Sequence, residues 1–229
     1  MNPSTAENTH ISFSAILAST IHDVKNSLGI VLSSLDELVR SVGDSLPPAQ
    51  MGKLLCESQQ VTNNLVQLLA LYKMENQGLV LNIDDYFIYD FLEEILISEQ
   101  ALLKTRNIEL GFKCAEDLTW YIDRDLITGV LKNALNNALR YAYSKVLITA
   151  EEVNHSLVLS VNDDGNGFSD TIMANYQRHG VNFSSGNTGL GIYFSSRVAE
   201  LHKNRDKQGV IEIGNGHVLG GACFSIILP

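Results

Sequence analysis

The chain of 229 residues is long enough for one large domain or two small ones. Its hydrophobic fraction of 45% is ordinary for a globular protein, and its net charge of −10 argues against nucleic-acid binding, which needs clustered Lys and Arg. No apolar run approaches the roughly 20 residues of a membrane-spanning helix, and the amino terminus does not resemble a secretory signal. The three cysteines fit neither a disulfide framework nor a paired metal motif. We therefore expect a cytoplasmic protein with buried thiols.

The first third of the chain shows heptad spacing, which predicts a helical hairpin over residues 9–76. Apolar residues in the first helix are separated by alternating steps of three and four: Ile21, Val24, Leu28, Val31, Leu35 and Leu38. Gly43, Pro47 and Pro48 interrupt the pattern. A second seam follows at Leu54, Val61, Leu65, Leu68 and Tyr72. Two helices alone bury too little apolar surface, so we expect a dimer that closes a four-helix bundle.

The remaining residues predict an α/β sandwich, in which helices cover one face of a single sheet. We expect helices over 87–105, 123–142 and 189–202, and strands over 107–114, 145–152, 155–163, 209–215 and 221–229. The strands around residue 154 are predicted to join by a turn at Val153 and Asn154. The predicted domains are therefore a helical hairpin (1–76), a linker (77–82) and an α/β domain (83–229).

The first predicted helix carries a polar cluster at "HDVKN". His22 and Asp23 lie one and two positions past the core position Ile21, so both should face outward. Asn26 follows His22 by four residues and lies on the same face. These residues could be an ordinary solvated helix face, or an exposed imidazole with an acid and an amide placed beside it for chemistry.

A second polar pattern occurs on the predicted helix 123–142. Asn133 and Asn137 are four residues apart on one face, with Arg140 one turn further. An amide oxygen can bind Mg²⁺ without adding charge, which suits a metal that is already surrounded by phosphate oxygens. Local hydrogen bonding by the two asparagines is the simpler interpretation.

Two glycine-rich stretches complete the set of motifs. In "VNDDGNGFS", Asp163, Gly165 and Gly167 follow a strand, where an acid can accept a hydrogen bond from an amine such as that of adenine. In "SSGNTGLGI", Gly186, Gly189 and Gly191 lead into a helix, whose free N–H groups favour anions. Taken separately, these stretches could be a plain turn and an ordinary helix start.

The order and spacing of the four motifs resemble those of the bacterial sensor histidine kinases over nearly the whole chain. "HDVKNSL" is similar to the family's phosphoacceptor box, "NALNNALRYA" to its asparagine box, and "DDGNG" and "GNTGLGI" to its two glycine boxes. The resemblance implies a dimerisation and phosphoacceptor hairpin followed by an ATP-binding domain of the gyrase, HSP90 and histidine kinase type.

The resemblance also implies residue roles. His22 would be phosphorylated, Asp23 would activate its imidazole, and Asn26 would orient the water that hydrolyses the partner's phospho-aspartate. Asn137 would bind Mg²⁺, and Asp163 would bind adenine. The other nucleotide-binding positions would be Asn133, Arg140, Tyr141, Gly165, Gly167, Gly189, Leu190 and Gly191.

The implied activity is an ATP-dependent protein-histidine kinase that passes phosphate to an aspartate of a response-regulator receiver domain. Its cofactors would be ATP and Mg²⁺, and its partners a second copy of the chain, the receiver domain and an upstream sensor protein. The interval between Gly167 and Gly186, which would cover ATP, is short for the family. A phosphotransfer adaptor with a vestigial nucleotide domain, or a binding module without turnover, therefore remains as an alternative.

Overall fold

The computed structural model describes Gly29 and residues 61–74, 80–103, 108–179 and 189–229. Residues 61–74 are helical, within the second helix of the predicted hairpin. His22, Asp23, Asn26 and Gly186 lie outside the described residues, as does all of the first hairpin helix except Gly29. The predicted dimeric bundle and the domain boundaries therefore stay predictions. Within the described residues, no helix is both long enough and apolar enough to cross a membrane.

The described chain contains five helices and nine strands, which we number in chain order. The helices are α1 (61–74), α2 (Ile88–Leu103), α3 (Arg124–Tyr141), α4 (Asp170–His179) and α5 (Gly189–Leu201). The strands are β1 (Ile83–Phe87), β2 (Glu109–Lys113), β3 (Thr119–Asp123), β4 (Lys145–Val153), β5 (Ser156–Asp163), β6 (Lys203–Asn204), β7 (Lys207–Gln208), β8 (Val210–Asn215) and β9 (Ala222–Leu228).

The main sheet has five strands in the order β2-β4-β5-β9-β8. β2 pairs with β4 in parallel, with Glu109 opposite Lys145, and the other three pairs are antiparallel. β1 and β3 form a separate antiparallel ribbon, and β6 and β7 form a short hairpin. The α/β architecture that the sequence predicts is therefore confirmed.

One apolar core lies between the helices and a single face of the main sheet. Because side chains alternate along a strand, β5 contributes Leu157, Leu159 and Val161 to this core, and all three are almost fully buried. α3 contributes a stripe of apolar residues spaced at helical intervals, including Val130, Leu131 and Leu135. Asp163 continues the inward-facing series of β5, so its carboxylate points toward the helices.

The structure differs from the sequence predictions at several element boundaries. β1 and β3 are not predicted from the sequence. Their sequences, "IDDYF" and "TWYID", contain aspartates, which are disfavoured in strands, and the two strands pair only with each other. The predicted turn at Val153 and Asn154 is wrong by one residue. Val153 still pairs with Ser156, and the turn residues are Asn154 and His155, with φ values of 52° and 59°.

Candidate nucleotide-binding site

A cavity of about 280 Å³ lies between α3 and the inward face of the sheet. α3 lines it with Asn133, Asn137 and Tyr141, and the end of β5 and the following loop line it with Asp163 and Gly167. Most of the remaining wall is apolar and consists of Ala134, Ala138, Val161, Phe168, Ile172, Ile192, Ala222 and Phe224. The cavity therefore combines an apolar slot with a few polar groups, as is typical of small-molecule sites.

Asp163 is the buried charged group of this cavity, with only 5% of its surface exposed. Its Oδ1 accepts hydrogen bonds from the backbone N–H groups of Gly165, at 2.8 Å, and of Ala222, at 3.1 Å. These two bonds fix the carboxylate on the strand end and leave Oδ2 as the oxygen available to a ligand. A buried acceptor of this kind selects a ligand that can donate to it.

α3 places its polar residues on the cavity because they follow a helical repeat. Asn133, Asn137 and Tyr141 are separated by four residues each, which brings them onto one face. The helix begins after Asp123, whose Oδ1 accepts a hydrogen bond from the N–H of Leu126 at 3.1 Å. The cap fixes where α3 begins, and the helical repeat then places the amides of Asn133 and Asn137 on the cavity.

Two of the predicted glycines lie where the backbone approaches another element very closely. A Cβ atom on Gly165 would lie 2.2 Å from the carbonyl oxygen of Tyr141, at the end of α3. A Cβ atom on Gly191 would lie 2.4 Å from Nδ2 of Asn133. Both positions therefore require glycine for packing of the site's walls, whatever part their backbones take in binding.

Asn215 supports the cavity and was not found from the sequence. Its Oδ1 accepts from the N–H of Phe168 at 2.7 Å, and its Nδ2 donates to the carbonyl of Phe168 at 2.9 Å. This two-way contact resembles a strand pair and holds Phe168 in the wall of the cavity. Phe168 itself directly follows Gly167, so the sequence could have indicated it, whereas Asn215 carries no motif.

Asp164 is the second acid of the "DDGNG" motif and faces away from the cavity. Its Oδ1 accepts from the N–H groups of Tyr143, at 2.8 Å, and of Ser144, at 3.0 Å, and its Oδ2 accepts from the Ser144 hydroxyl at 2.6 Å. Burial opposes ionisation, but the bonds from the hydroxyl and N–H of Ser144 and from the N–H groups of Lys145 and Tyr143 outweigh it, and the pKa of Asp164 falls to about 2.

Several predicted site residues do not line the cavity. Arg140 is exposed, with its guanidinium 5.7 Å from the centre of the Tyr141 ring. Leu190 is half-buried against the core, and Gly189 is the first residue of α5. The structure therefore brings together Asn133, Asn137, Tyr141, Asp163 and Gly167, and the roles of the others stay predictions.

A family model matches residues 122–229 of the chain, and its description is "Histidine kinase-, DNA gyrase B-, and HSP90-like ATPase". Among curated proteins, the chain is 25% identical over 225 residues to histidine kinase P4 of Formosa agariphila, covering 86% of this chain and 16% of that protein. It is 22% identical over 206 residues to the sensor histidine kinase CssS of Bacillus subtilis, covering 85% and 44%. The chain thus spans less than half of either relative.

Solved structures show the same fold. The histidine kinase AdeS of Acinetobacter baumannii superposes with a TM-score of 0.59 at 23% identity, covering 90% of this chain and 96% of that one. Full-length ShkA in complex with AMPPNP superposes with a TM-score of 0.63 at 18% identity, covering 95% and 46%. The chain carries a domain of the histidine kinase-, gyrase B- and HSP90-like ATPase type, and as a whole it resembles the bacterial sensor histidine kinases.

Proposed function

We propose that this chain binds ATP in the cavity beneath α3 and transfers the γ-phosphoryl group to His22, and then to an aspartate of a receiver domain. The observation that carries the proposal is the placement of Asp163 and Asn137 on one cavity, with an apolar slot between the sheet and α3. Homologous histidine kinases and the AMPPNP complex of ShkA support this assignment.

The base would bind at the Asp163 end of the cavity. Oδ2 of Asp163 would accept a hydrogen bond from the exocyclic amine of adenine, because Oδ1 already accepts from two N–H groups. The apolar walls formed by Val161, Phe224 and Ile192 suit a flat ring. A guanine base would place a carbonyl oxygen against the same carboxylate, so the site favours adenine.

The amide side of the cavity fits a magnesium ion that is held mainly by phosphate oxygens. Among the described residues, no group of three His, Cys, Asp or Glu side chains could hold a metal by itself. Asn137 offers a neutral oxygen ligand on the cavity wall, with Asn133 one turn earlier. The ion would neutralise phosphate charge during transfer, and Asn137 is the residue that would hold it.

His22 would attack the γ-phosphorus as a neutral imidazole. A nitrogen–phosphorus bond forms, the bond between phosphorus and the bridging oxygen breaks, and ADP leaves. Asp23 would orient the ring and stabilise the positive charge that develops on it. A receiver aspartate would then take the phosphoryl group from His22, and in a separate phosphatase reaction Asn26 would orient the water that hydrolyses the phospho-aspartate and releases inorganic phosphate.

The chain would act as a homodimer that is regulated by a separate sensor protein. In α1, Val61 is 49% exposed and Leu68 45% exposed, and both belong to the predicted heptad seam. An adaptor without nucleotide binding is not favoured, because Asp163, Asn137 and the apolar walls of the cavity are retained.

The test is incubation of the purified protein with Mg-ATP labelled on the γ-phosphate. We expect label that is stable in base and lost in acid, as for a phosphoramidate, and His22→Gln should abolish it. Asn26→Ala should keep His22 labelling but slow the loss of label from a phosphorylated receiver domain. Absence of label on the native chain, with label acquired from a phosphorylated receiver, would overturn the kinase proposal.

A further inference from the structure

The loop that carries Asp163 is tied to the end of α3 by the neighbouring residue, Asp164. Both carboxylate oxygens of Asp164 accept hydrogen bonds from Tyr143 and Ser144, the residues that follow shortly after α3. A backbone bond from the N–H of Asp164 to the carbonyl of Lys145, at 3.2 Å, adds to the contact. Four hydrogen bonds from a two-residue turn to one ionised carboxylate make a strong clamp.

Two further contacts join the same loop to the end of α3 and to the turn after it. Gly165 packs so closely on the carbonyl oxygen of Tyr141 that no side chain fits between them. The hydroxyl of Tyr143 donates to Oδ1 of Asn166. The loop therefore meets the end of α3 at Gly165, and the turn that follows α3 at Asp164 and Asn166.

Asp163 has a second, independent attachment on the opposite side. Its Oδ1 accepts from the N–H of Ala222, and its carbonyl accepts from the N–H of Gly221 at 3.0 Å. The strand β9 therefore holds Asp163 on the sheet even without Asp164. What depends on Asp164 is the position of α3 relative to that sheet edge.

We propose that Asp164 is a positioning residue that sets the separation between Asp163, at the base end of the cavity, and Asn137, at the amide end. Asn137 lies one helical turn before Tyr141, so movement of the last turn of α3 moves Asn137 as well. The inference rests on the proposed nucleotide site. A ligand that spans both ends gains affinity only if the two ends are held at the correct distance.

The experiment compares two ligands in calorimetry: adenosine, which reaches only the base end, and MgATP, which spans both. In Asp164→Ala, adenosine affinity should stay within about threefold of native, because β9 still holds Asp163, whereas the preference for MgATP over adenosine should fall roughly tenfold. Asp164→Asn keeps an acceptor oxygen and should restore part of this preference. Glu116→Ala, which removes an exposed carboxylate between β2 and β3, is the matched control.

These measurements distinguish a failure of the role proposed for Asp164 from a failure of the proposed nucleotide site. Equal weakening of adenosine and MgATP would mean that Asp164 supports only the base loop, and an unchanged preference would mean that α3 needs no clamp; either overturns the inference. If the native chain binds neither ligand, the proposed nucleotide site fails and the inference fails with it. Should Asp164→Ala not fold, Ser144→Ala removes the 2.6 Å hydroxyl bond from the other side, and the preference for MgATP should fall with adenosine affinity unchanged.

Discussion

The backbone N–H of Asp123 donates a hydrogen bond of 3.0 Å to Nε2 of His202, across 79 residues of sequence. Because Nε2 accepts this bond, the ring proton lies on Nδ1, which donates to the carbonyl of Val198 at 2.8 Å. The neutral imidazole, only 3% exposed, thus joins the end of α5 to the start of α3. Both ring nitrogens are used, so His202 has a structural role.

The protein should lose stability as the pH falls below about 6.5. Burial lowers the pKa of His202, against weaker opposing effects from the Val198 hydrogen bond and the Asp123 charge. The unfolded chain then binds a proton that the folded chain resists, so stability is present above the ordinary pKa of 6.5 and declines below it. Denaturant titrations between pH 7.5 and about 5 should show a slope of at most about 1.4 kcal/mol per pH unit.

His202→Gln should lower stability overall and flatten this slope, because it removes the buried imidazole. Burial raises the pKa of Glu99, against the attraction of Lys132. The folded chain therefore binds this proton more readily than the unfolded chain, and Glu99 adds a stability slope of opposite sign at lower pH. That contribution is common to all variants and cancels in the comparison. An identical slope in native protein and His202→Gln would contradict the prediction.

Asp163→Asn should weaken adenosine binding by roughly 1–3 kcal/mol, the cost of leaving a buried polar group without its partner. The amide keeps the size of the side chain, but it replaces one carboxylate oxygen by an NH2 group, which can only donate a hydrogen bond. Titration calorimetry with adenosine measures the effect, and Asp206→Asn in the exposed β6–β7 hairpin is the matched control. Unaltered affinity in Asp163→Asn would place the base elsewhere.

Asn137→Ala should reduce phosphoryl transfer far more than adenosine binding. Asn137 lies at the amide end of the cavity, where its oxygen would hold Mg²⁺. Its neighbour Asn136 is on the same helix but does not line the cavity, so Asn136→Ala is the matched control. The measurement is the rate of His22 labelling beside adenosine affinity; a large loss of adenosine affinity in Asn137→Ala would mean that Asn137 supports the base end.

Gly191→Ala should destabilise the domain by about 1–3 kcal/mol, as is usual when atoms are added to a packed interface. The new methyl group would meet the side chain of Asn133, which is itself only 6% exposed and cannot easily move aside. Gly111→Ala is the control, because nothing lies within 4 Å of a Cβ added there. Urea denaturation should separate the two variants, and equal midpoints would show that α5 can shift without cost.

Leu68→Glu should convert the expected dimer to a monomer. A charge on the exposed seam of α1 would have to be buried without a partner in a four-helix bundle. Light scattering measures the mass, and Val153→Glu, at an exposed apolar residue of β4, should leave the dimer intact. A monomeric native chain would remove the basis for this prediction.

The helices α2, α3 and α5, the main strands and the central site residues could be predicted because their signals are local, whereas α4 (Asp170–His179) was missed. The four-residue spacing of Asn133 and Asn137 and the position of Asp163 at a strand end are visible in short windows of sequence. Both patterns depend only on the periodicity of helices and strands.

The residues that support the site could not be predicted, because their partners are distant in sequence. Asn215 bonds to Phe168 across 47 residues, His202 to Asp123 across 79, and Asp164 to Ser144 across 20. An asparagine, a histidine or an aspartate in isolation has many possible partners. The order of the strands in the sheet decides which of these possible partners each side chain contacts.

The last strand in chain order, β9, lies inside the main sheet, between β5 and β8. During synthesis, a nascent chain that ended before Ala222 would have β5 and β8 with no strand to join them, and Asp163 without the N–H of Ala222. Its hairpin of β4 and β5 can form early, since that contact is local, but the five-stranded sheet closes only when β9 has been made. Prematurely terminated chains should therefore lack both the closed sheet and one of the two N–H groups that hold Asp163, so the proposed nucleotide site would not form in them.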